Sequence, residues 1–146
     1  MAQDTAAIAP LRQRGRFASF VLCGLLIALV SVPTAALAQL RGHGGPVRAL
    51  AISADGQSLI SGGFDSTAIR WSLPRNSAEQ VLRFHADAVN AVAWLGDGRA
   101  ATAGADGRVA IWTAGKAEPD TVLEGHTGPI VALAPSPDGA TLASAS

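Results

Sequence analysis

The chain is 146 residues long, with 11 basic and 11 acidic side chains and a formal net charge of zero. Apolar residues make up 49% of it and charged residues 15%, a balance typical of a globular protein and not of a disordered or fibrous one. Without a basic excess, the composition disfavours a nucleic-acid-binding protein.

The first 38 residues have the layout of a helical secretory signal peptide. An uncharged apolar run covers residues 17–32 and follows three arginines, namely Arg12, Arg14 and Arg16. Small side chains then stand at the alternate positions Ala36 and Ala38, just before Gln39. This pattern fits the pocket of a signal peptidase and predicts cleavage after Ala38.

The same segment has an alternative, an uncleaved helix that anchors the protein in the inner membrane, since bilayer-spanning helices need about 17 to 25 apolar residues. Lipid attachment at Cys23 is disfavoured because Leu22 stands where a small residue is needed. The arginines are not adjacent, which disfavours a twin-arginine signal. We expect Sec-type export to the periplasm, leaving a mature chain with 8 basic residues, 10 acidic residues and no cysteine.

The remaining residues repeat in one register. Three histidines recur at spacings of 42 and 41 residues, and three Asp-Gly pairs keep the same spacings. The histidines are His43, His85 and His126, and the pairs are Asp55-Gly56, Asp97-Gly98 and Asp138-Gly139. An apolar stretch precedes each pair and an extended stretch follows it, which predicts a strand, a tight turn and a second strand.

Each complete unit is predicted to form four strands. The first strands are predicted over 47–52, 89–94 and 130–134, the third over 67–72 and 108–113, and the fourth over 79–83 and 121–124. Because the first strands are almost continuously apolar, both of their faces should be covered by neighbouring units. Pro135 cannot donate a ladder hydrogen bond, which predicts an early end for the first strand of the third unit.

These units resemble the WD40 family of β-propellers, whose repeats run from a Gly-His pair to a Trp-Asp pair. Gly42-His43 and Trp71 match this pattern in the first unit, and Gly125-His126 opens the third. The departures are Ser72 and Thr113 in place of the aspartate after Trp71 and Trp112, and Phe84 in place of the glycine before His85. The resemblance implies an all-β fold of four-stranded antiparallel blades, covering residues 39–83, 84–124 and 125–146.

The resemblance also implies a buried hydrogen-bond network in each blade. Its members are His43, Ser61, Asp65 and Trp71 in the first unit, His85, Thr102, Asp106 and Trp112 in the second, and His126 with Ser144 in the third. The carboxylate, imidazole, hydroxyl and indole can satisfy one another. A hydrolase triad is disfavoured, because a nucleophile needs exposure and an oxyanion hole, and the set recurs in each blade. The histidines belong to separate blades, which disfavours a metal site.

We therefore expect a non-catalytic scaffold that binds other proteins. Phe64 precedes the network aspartate, at a position near the partner-binding face of the resembling family, and is a candidate contact. The alternative is that Phe64 packs into an adjacent loop. No nucleic acid is expected as a partner, and a membrane is expected to be contacted only through an uncleaved signal segment.

About two and a half blades fall short of the roughly four to eight that close a propeller, so we expect an N-terminal fragment of a longer protein. The stretches 63–71 and 81–85 resemble the start of exported bacterial WD40 proteins that continue into a c-type cytochrome domain. That resemblance implies haem c and electron transfer in a longer parent. Covalent haem attachment needs a Cys-X-X-Cys-His motif, which this chain lacks, so no cofactor is expected here.

Overall fold

The computed structural model describes residues 39–146, which form ten β-strands. The predicted signal peptide, its cleavage position at Ala38 and the lone Cys23 lie outside the described residues, whereas Gln39 is described and exposed. Within the part of the chain described, no helix is long and apolar enough to cross a membrane.

The strands form three antiparallel sheets, which we call blades 1 to 3. Blade 1 has the order β1 (Val47–Ile52), β2 (Ser58–Gly63), β3 (Thr67–Ser72) and β4 (Ser77–Arg83). Blade 2 has the order β5 (Val89–Trp94), β6 (Ala100–Gly104), β7 (Val109–Trp112) and β8 (Thr121–Leu123). Blade 3 pairs β9 (Ala132–Pro135) with β10 (Leu142–Ala145). The all-β architecture of four-stranded antiparallel blades is confirmed.

The Asp-Gly pairs lie in the turns between the first and second strands of each blade. Their glycines, Gly56, Gly98 and Gly139, have φ angles of 68°, 80° and 68°, a conformation that glycine adopts without steric cost. Each aspartate accepts a hydrogen bond of 3.0 Å from the backbone N–H two residues later. The side chain thereby caps the turn and sets the register of the strands that follow.

The first strand of blade 3 begins two residues later than predicted. The N–H of Ile130 donates to the carbonyl of Gly104 at 3.1 Å, and the amide of Asn90 donates to the carbonyl of Ile130 at 3.0 Å. These bonds tie Ile130 to blade 2 and keep it out of the ladder. The predicted early end of this strand is wrong, because β9 runs through Pro135, which pairs with Leu142. Pro135 is tolerated there because it is the last residue of the strand, where its missing N–H breaks no further ladder bond.

Neighbouring blades pack face to face through two apolar clusters. Between blades 1 and 2, Ile60 and Leu82 belong to one cluster with Val89 and Trp112. Between blades 2 and 3, alanines of β5 and β6 pack with three larger side chains, namely Ile130, Leu133 and Leu142. A hydrogen bond of 2.9 Å from the Trp94 indole N–H to the Ala51 carbonyl also joins blades 1 and 2.

Strand β1 differs from the prediction that both faces of each first strand are covered. Ala49 and Ala51 pack toward blade 2, but Leu50 is 64% exposed and Ile52 is 62% exposed. Most of β5 is buried, because this strand lies between blades 1 and 3. The continuous apolar pattern therefore corresponds to two-sided cover in β5 and one-sided cover in β1.

Candidate functional site

The structure brings the four predicted network residues of blade 1 together at one end of the sheet. Asp65, in the turn between β2 and β3, has both carboxylate oxygens 3.1 Å from His43 Nδ1. Ser61 Oγ lies 2.7 Å from His43 Nε2 and accepts a hydrogen bond of 2.8 Å from the indole N–H of Trp71. A neutral imidazole with its proton on Nδ1 satisfies all four side chains.

Asp65 is also the acceptor for groups that fix the turn around it. Burial raises the pKa of Asp65, but hydrogen bonds from the Thr67 hydroxyl, the Gly44 N–H and His43 outweigh burial and bring the pKa to about 2. The Thr67 hydroxyl lies 2.8 Å and the Gly44 nitrogen 2.6 Å from a carboxylate oxygen. Asp65 is therefore ionised at neutral pH and joins the segment before β1 to the β2–β3 turn.

Blade 2 repeats the arrangement with a threonine in place of the serine. His85 Nδ1 lies 3.0 and 3.1 Å from the two carboxylate oxygens of Asp106, and His85 Nε2 lies 2.8 Å from Thr102 Oγ1. The indole N–H of Trp112 donates to Thr102 Oγ1 at 3.0 Å. Burial raises the pKa of Asp106, but hydrogen bonds from His85 and the Ala86 N–H outweigh it and leave the pKa below its usual value.

In blade 3 the structure places the two predicted residues together, with His126 Nε2 2.8 Å from Ser144 Oγ. Both residues are exposed, unlike the hydroxyl-bearing residues Ser61 and Thr102. The blade 3 pair therefore lies in a more solvated environment than the networks of the two preceding blades.

The network geometry suits a structural role better than a catalytic one. Ser61 and Thr102 are only 2% and 0% exposed, and each hydroxyl oxygen is occupied by an indole N–H. A substrate could not reach these oxygens without displacing the tryptophan. No cluster of three or more metal-ligating side chains occurs among the residues described. Residues 39–146 contain no cysteine and so do not supply a covalent haem site.

Phe64 lies beside the blade 1 network, in the same turn as Asp65, and is 52% exposed. Its backbone N–H donates to the carbonyl of Pro46 at 3.0 Å, and the Arg48 guanidinium lies 5.3 Å from the centroid of its ring. The backbone hydrogen bond fixes the main chain at Phe64, and the half-exposed ring is contacted by a cation. Sequence reasoning missed Arg48. Its position could have indicated the contact, because Arg48 follows Val47, and Val47 pairs with Gly63, the residue before Phe64.

The corresponding positions of blade 2 do not form such a pair. Ala105 replaces the phenylalanine, and Asn90 replaces the arginine and bonds to the Ile130 carbonyl of blade 3. Among residues 39–146, the exposed pair of an aromatic ring and a guanidinium is therefore a property of blade 1, and it does not follow from the repeat itself.

Antiparallel blades that repeat a His-Asp-Ser/Thr-Trp network in one register define a WD-repeat propeller fold. The sequence matches the family described as WD domain, G-beta repeat over residues 35–72, 76–113 and 117–146, which is more than half of the chain. The chain therefore belongs to this family, whose repeats are typical of protein-interaction scaffolds.

Several proteins with WD repeats are similar to this chain. The Periodic tryptophan protein 2 homolog of Neurospora crassa is 34% identical over 92 residues, which cover 62% of this chain and 10% of that protein. The mouse F-box-like/WD repeat-containing protein TBL1X is 31% identical over 100 residues, covering 68% and 19%. The structure of U3-55K aligns with a TM-score of 0.60 at 28% identity, covering 64% and 29%. The chain thus spans a small part of each of these relatives.

The family repeats and the blades are out of step by one strand. The second matched repeat, residues 76–113, contains β4 of blade 1 together with β5, β6 and β7 of blade 2. The second repeat therefore supplies the outer strand of one sheet and the three inner strands of the next. Blades 1 and 2 are thus connected by a repeat that contributes strands to both, in addition to their packing against each other.

Proposed function

We propose that this chain is a non-catalytic scaffold that binds another protein through the end of blade 1 that carries Phe64. The observation that supports this proposal is Phe64 itself: its ring is half exposed and faces the Arg48 guanidinium, and its backbone N–H is bonded to the Pro46 carbonyl. Aromatic and arginine side chains are enriched among the residues that dominate binding energy at protein interfaces. WD-repeat domains generally bind protein partners, which fits the same role.

The hydrogen-bond network explains why a turn can present this ring rigidly. Asp65 follows Phe64 and accepts hydrogen bonds from His43, Gly44 and Thr67, so the turn is fixed both by β3 and by the segment before β1. A contact residue that is ordered before binding loses little conformational freedom when a partner covers it. The network thus acts on binding indirectly, by fixing the position of the exposed ring.

Replacement of Phe64 by alanine is expected to weaken partner binding by roughly five- to thirtyfold and to leave unfolding unchanged, because the ring is half exposed. The measurement is affinity capture from an extract of the source cells, with the retained proteins quantified by mass spectrometry. Val122→Ala, which removes an exposed apolar side chain on β8, is the matched control. Equal recovery of every retained protein with F64A and with V122A would contradict the proposed contact.

We further propose that the chain is exported and processed after Ala38, on the strength of its arginines, apolar run and small residues near Gln39. Expression of the full reading frame in a Gram-negative host is expected to yield periplasmic protein that begins at Gln39, as determined by intact mass and N-terminal sequencing. Ala38→Phe should block processing, because a large side chain does not fit the peptidase pocket. Wild-type protein that retains Met1 and fractionates with the inner membrane would instead support the uncleaved anchor.

A further inference from the structure

A cleft of about 730 Å³ lies between the outer strand of blade 1 and the connection that joins β7 to β8 in blade 2. Three arginines line it, namely Arg70, Arg75 and Arg83. Residues 39–146 contain 8 basic and 10 acidic side chains, so the cleft holds a large share of the positive charge of a mildly acidic segment. We call it the arginine cleft.

Two of these arginines are held side by side by a single carboxylate. One oxygen of Glu79 contacts Arg75, and the other lies 3.6 Å from Arg70 Nε. The Arg70 side chain is 15% exposed and its guanidinium lies 4.7 Å from the ring centroid of Trp94. Its buried Nε makes no hydrogen bond with geometry inside the usual limits. One carboxylate therefore serves two guanidinium groups, and the Arg75 side chain, which is 69% exposed, presents its remaining N–H groups to a ligand.

Arg83, at the other end of β4, has no carboxylate within 4.0 Å among residues 39–146. The only other acidic side chain that lines the cleft is Glu118, which is exposed and makes no ion pair in the same range. The cleft thus offers an uncompensated cation at one end and a paired set of cations at the other.

The wall opposite β4 is held in place by a side chain from blade 1. Gln80 accepts a hydrogen bond of 3.1 Å from the Gly115 N–H and donates one to the Lys116 carbonyl. This double contact joins β4 to the β7–β8 connection and fixes the separation of the two walls. A cleft with fixed walls is preorganised for a ligand.

We propose that the arginine cleft binds an extended acidic peptide segment of a partner protein, with carboxylates near Arg75 and Arg83. Strand β4 has seven residues and pairs only with β3, so its other backbone edge is open to an extended chain. The cleft volume lies in the range that accommodates ligands much larger than a single inorganic anion. Phe64 does not line the cleft, so this surface lies beyond the one proposed above.

The test is fluorescence anisotropy of a labelled hexaglutamate peptide with the purified protein. Arg75→Ala combined with Arg83→Ala is expected to weaken binding about tenfold, and Glu118→Gln is expected to strengthen it about two- to threefold by removing a repulsive charge. A gain of affinity cannot arise from misfolding. Arg99→Ala, on the blade 2 turn outside the cleft and ion-paired with Asp97, should leave binding unchanged.

Three results would overturn the assignment. They are equal affinity of all variants, no binding of the peptide by wild type, and complete competition by inorganic phosphate at an equal concentration of charge, which would indicate a site for small anions. Phe64→Ala is expected to bind hexaglutamate like wild type. The capture experiment with F64A and the peptide titration can therefore fail independently of each other.

Discussion

Replacement of Trp112 by alanine is expected to lower the free energy of unfolding by about 3 to 5 kcal/mol. The Trp112 ring is buried in the cluster between blades 1 and 2, where it meets the edge of Phe84 at a centroid distance of 6.4 Å. Alanine would leave a cavity and would deprive the buried Thr102 hydroxyl of the indole donor at 3.0 Å. Urea unfolding followed by far-ultraviolet circular dichroism at one protein concentration measures the change.

Two phenylalanine variants separate the cavity from the lost hydrogen bond. Trp112→Phe keeps most of the buried ring and removes the N–H, so about 1 to 3 kcal/mol should be lost. Trp71→Phe removes the equivalent donor to Ser61 in blade 1 and should cost a similar amount. If both variants unfold at the same urea concentration as wild type, these indoles do not stabilise the networks.

Replacement of Gly62 by alanine is expected to destabilise the protein by about 1 to 3 kcal/mol, because the new methyl group overfills the interface between blades 1 and 2. A Cβ at Gly62 would lie 2.6 Å from Val89 Cγ1 and 3.1 Å from the Val89 carbonyl oxygen. Val89 is fully buried and has little room to move. The expected result is a lower midpoint of urea unfolding.

A double-mutant cycle tests whether this contact is the cause. In a Val89→Ala background, which removes Cγ1, Gly62→Ala should cost clearly less than in wild type. Gly128→Ala is the control, since the nearest atom to its Cβ would be Ser146 Oγ at 3.8 Å. Equal costs of Gly62→Ala in both backgrounds would show that the two blades do not meet tightly at this point.

The repeated features of this protein are those that the sequence predicts best. The spacing of His43 and His85 is enough to align blades 1 and 2, because each blade needs the same turn and the same buried acceptor. The predicted strand limits in these two blades agree with the structure to within two residues. In blade 3 the ladder begins later, because Ile130 bonds to blade 2, and a contact between blades leaves no mark in a local pattern.

Contacts that do not follow the repeat spacing could not be derived from the period. Gln80 contacts residues 35 and 36 positions away, a separation that differs from the 41- or 42-residue period. Arg48 contacts Phe64, but the corresponding residues of blade 2 are Asn90 and Ala105. The exposure of Leu50 could not be read from its apolar neighbours, because the same pattern in β5 is buried from both sides. Such features depend on which blades are neighbours in the folded chain, and a local sequence pattern does not contain that information.

The one-strand offset between repeat and blade has a practical meaning for anyone who cuts or recombines this gene. A fragment of residues 76–113 produced alone carries β4 without the sheet it belongs to and lacks β8 of blade 2, so its strands have unpaired edges. A junction within residues 84–88, between β4 and β5, leaves every sheet whole. Duplication of a full repeat, by contrast, adds a sheet without opening any, so such a gene can lengthen by simple tandem copying.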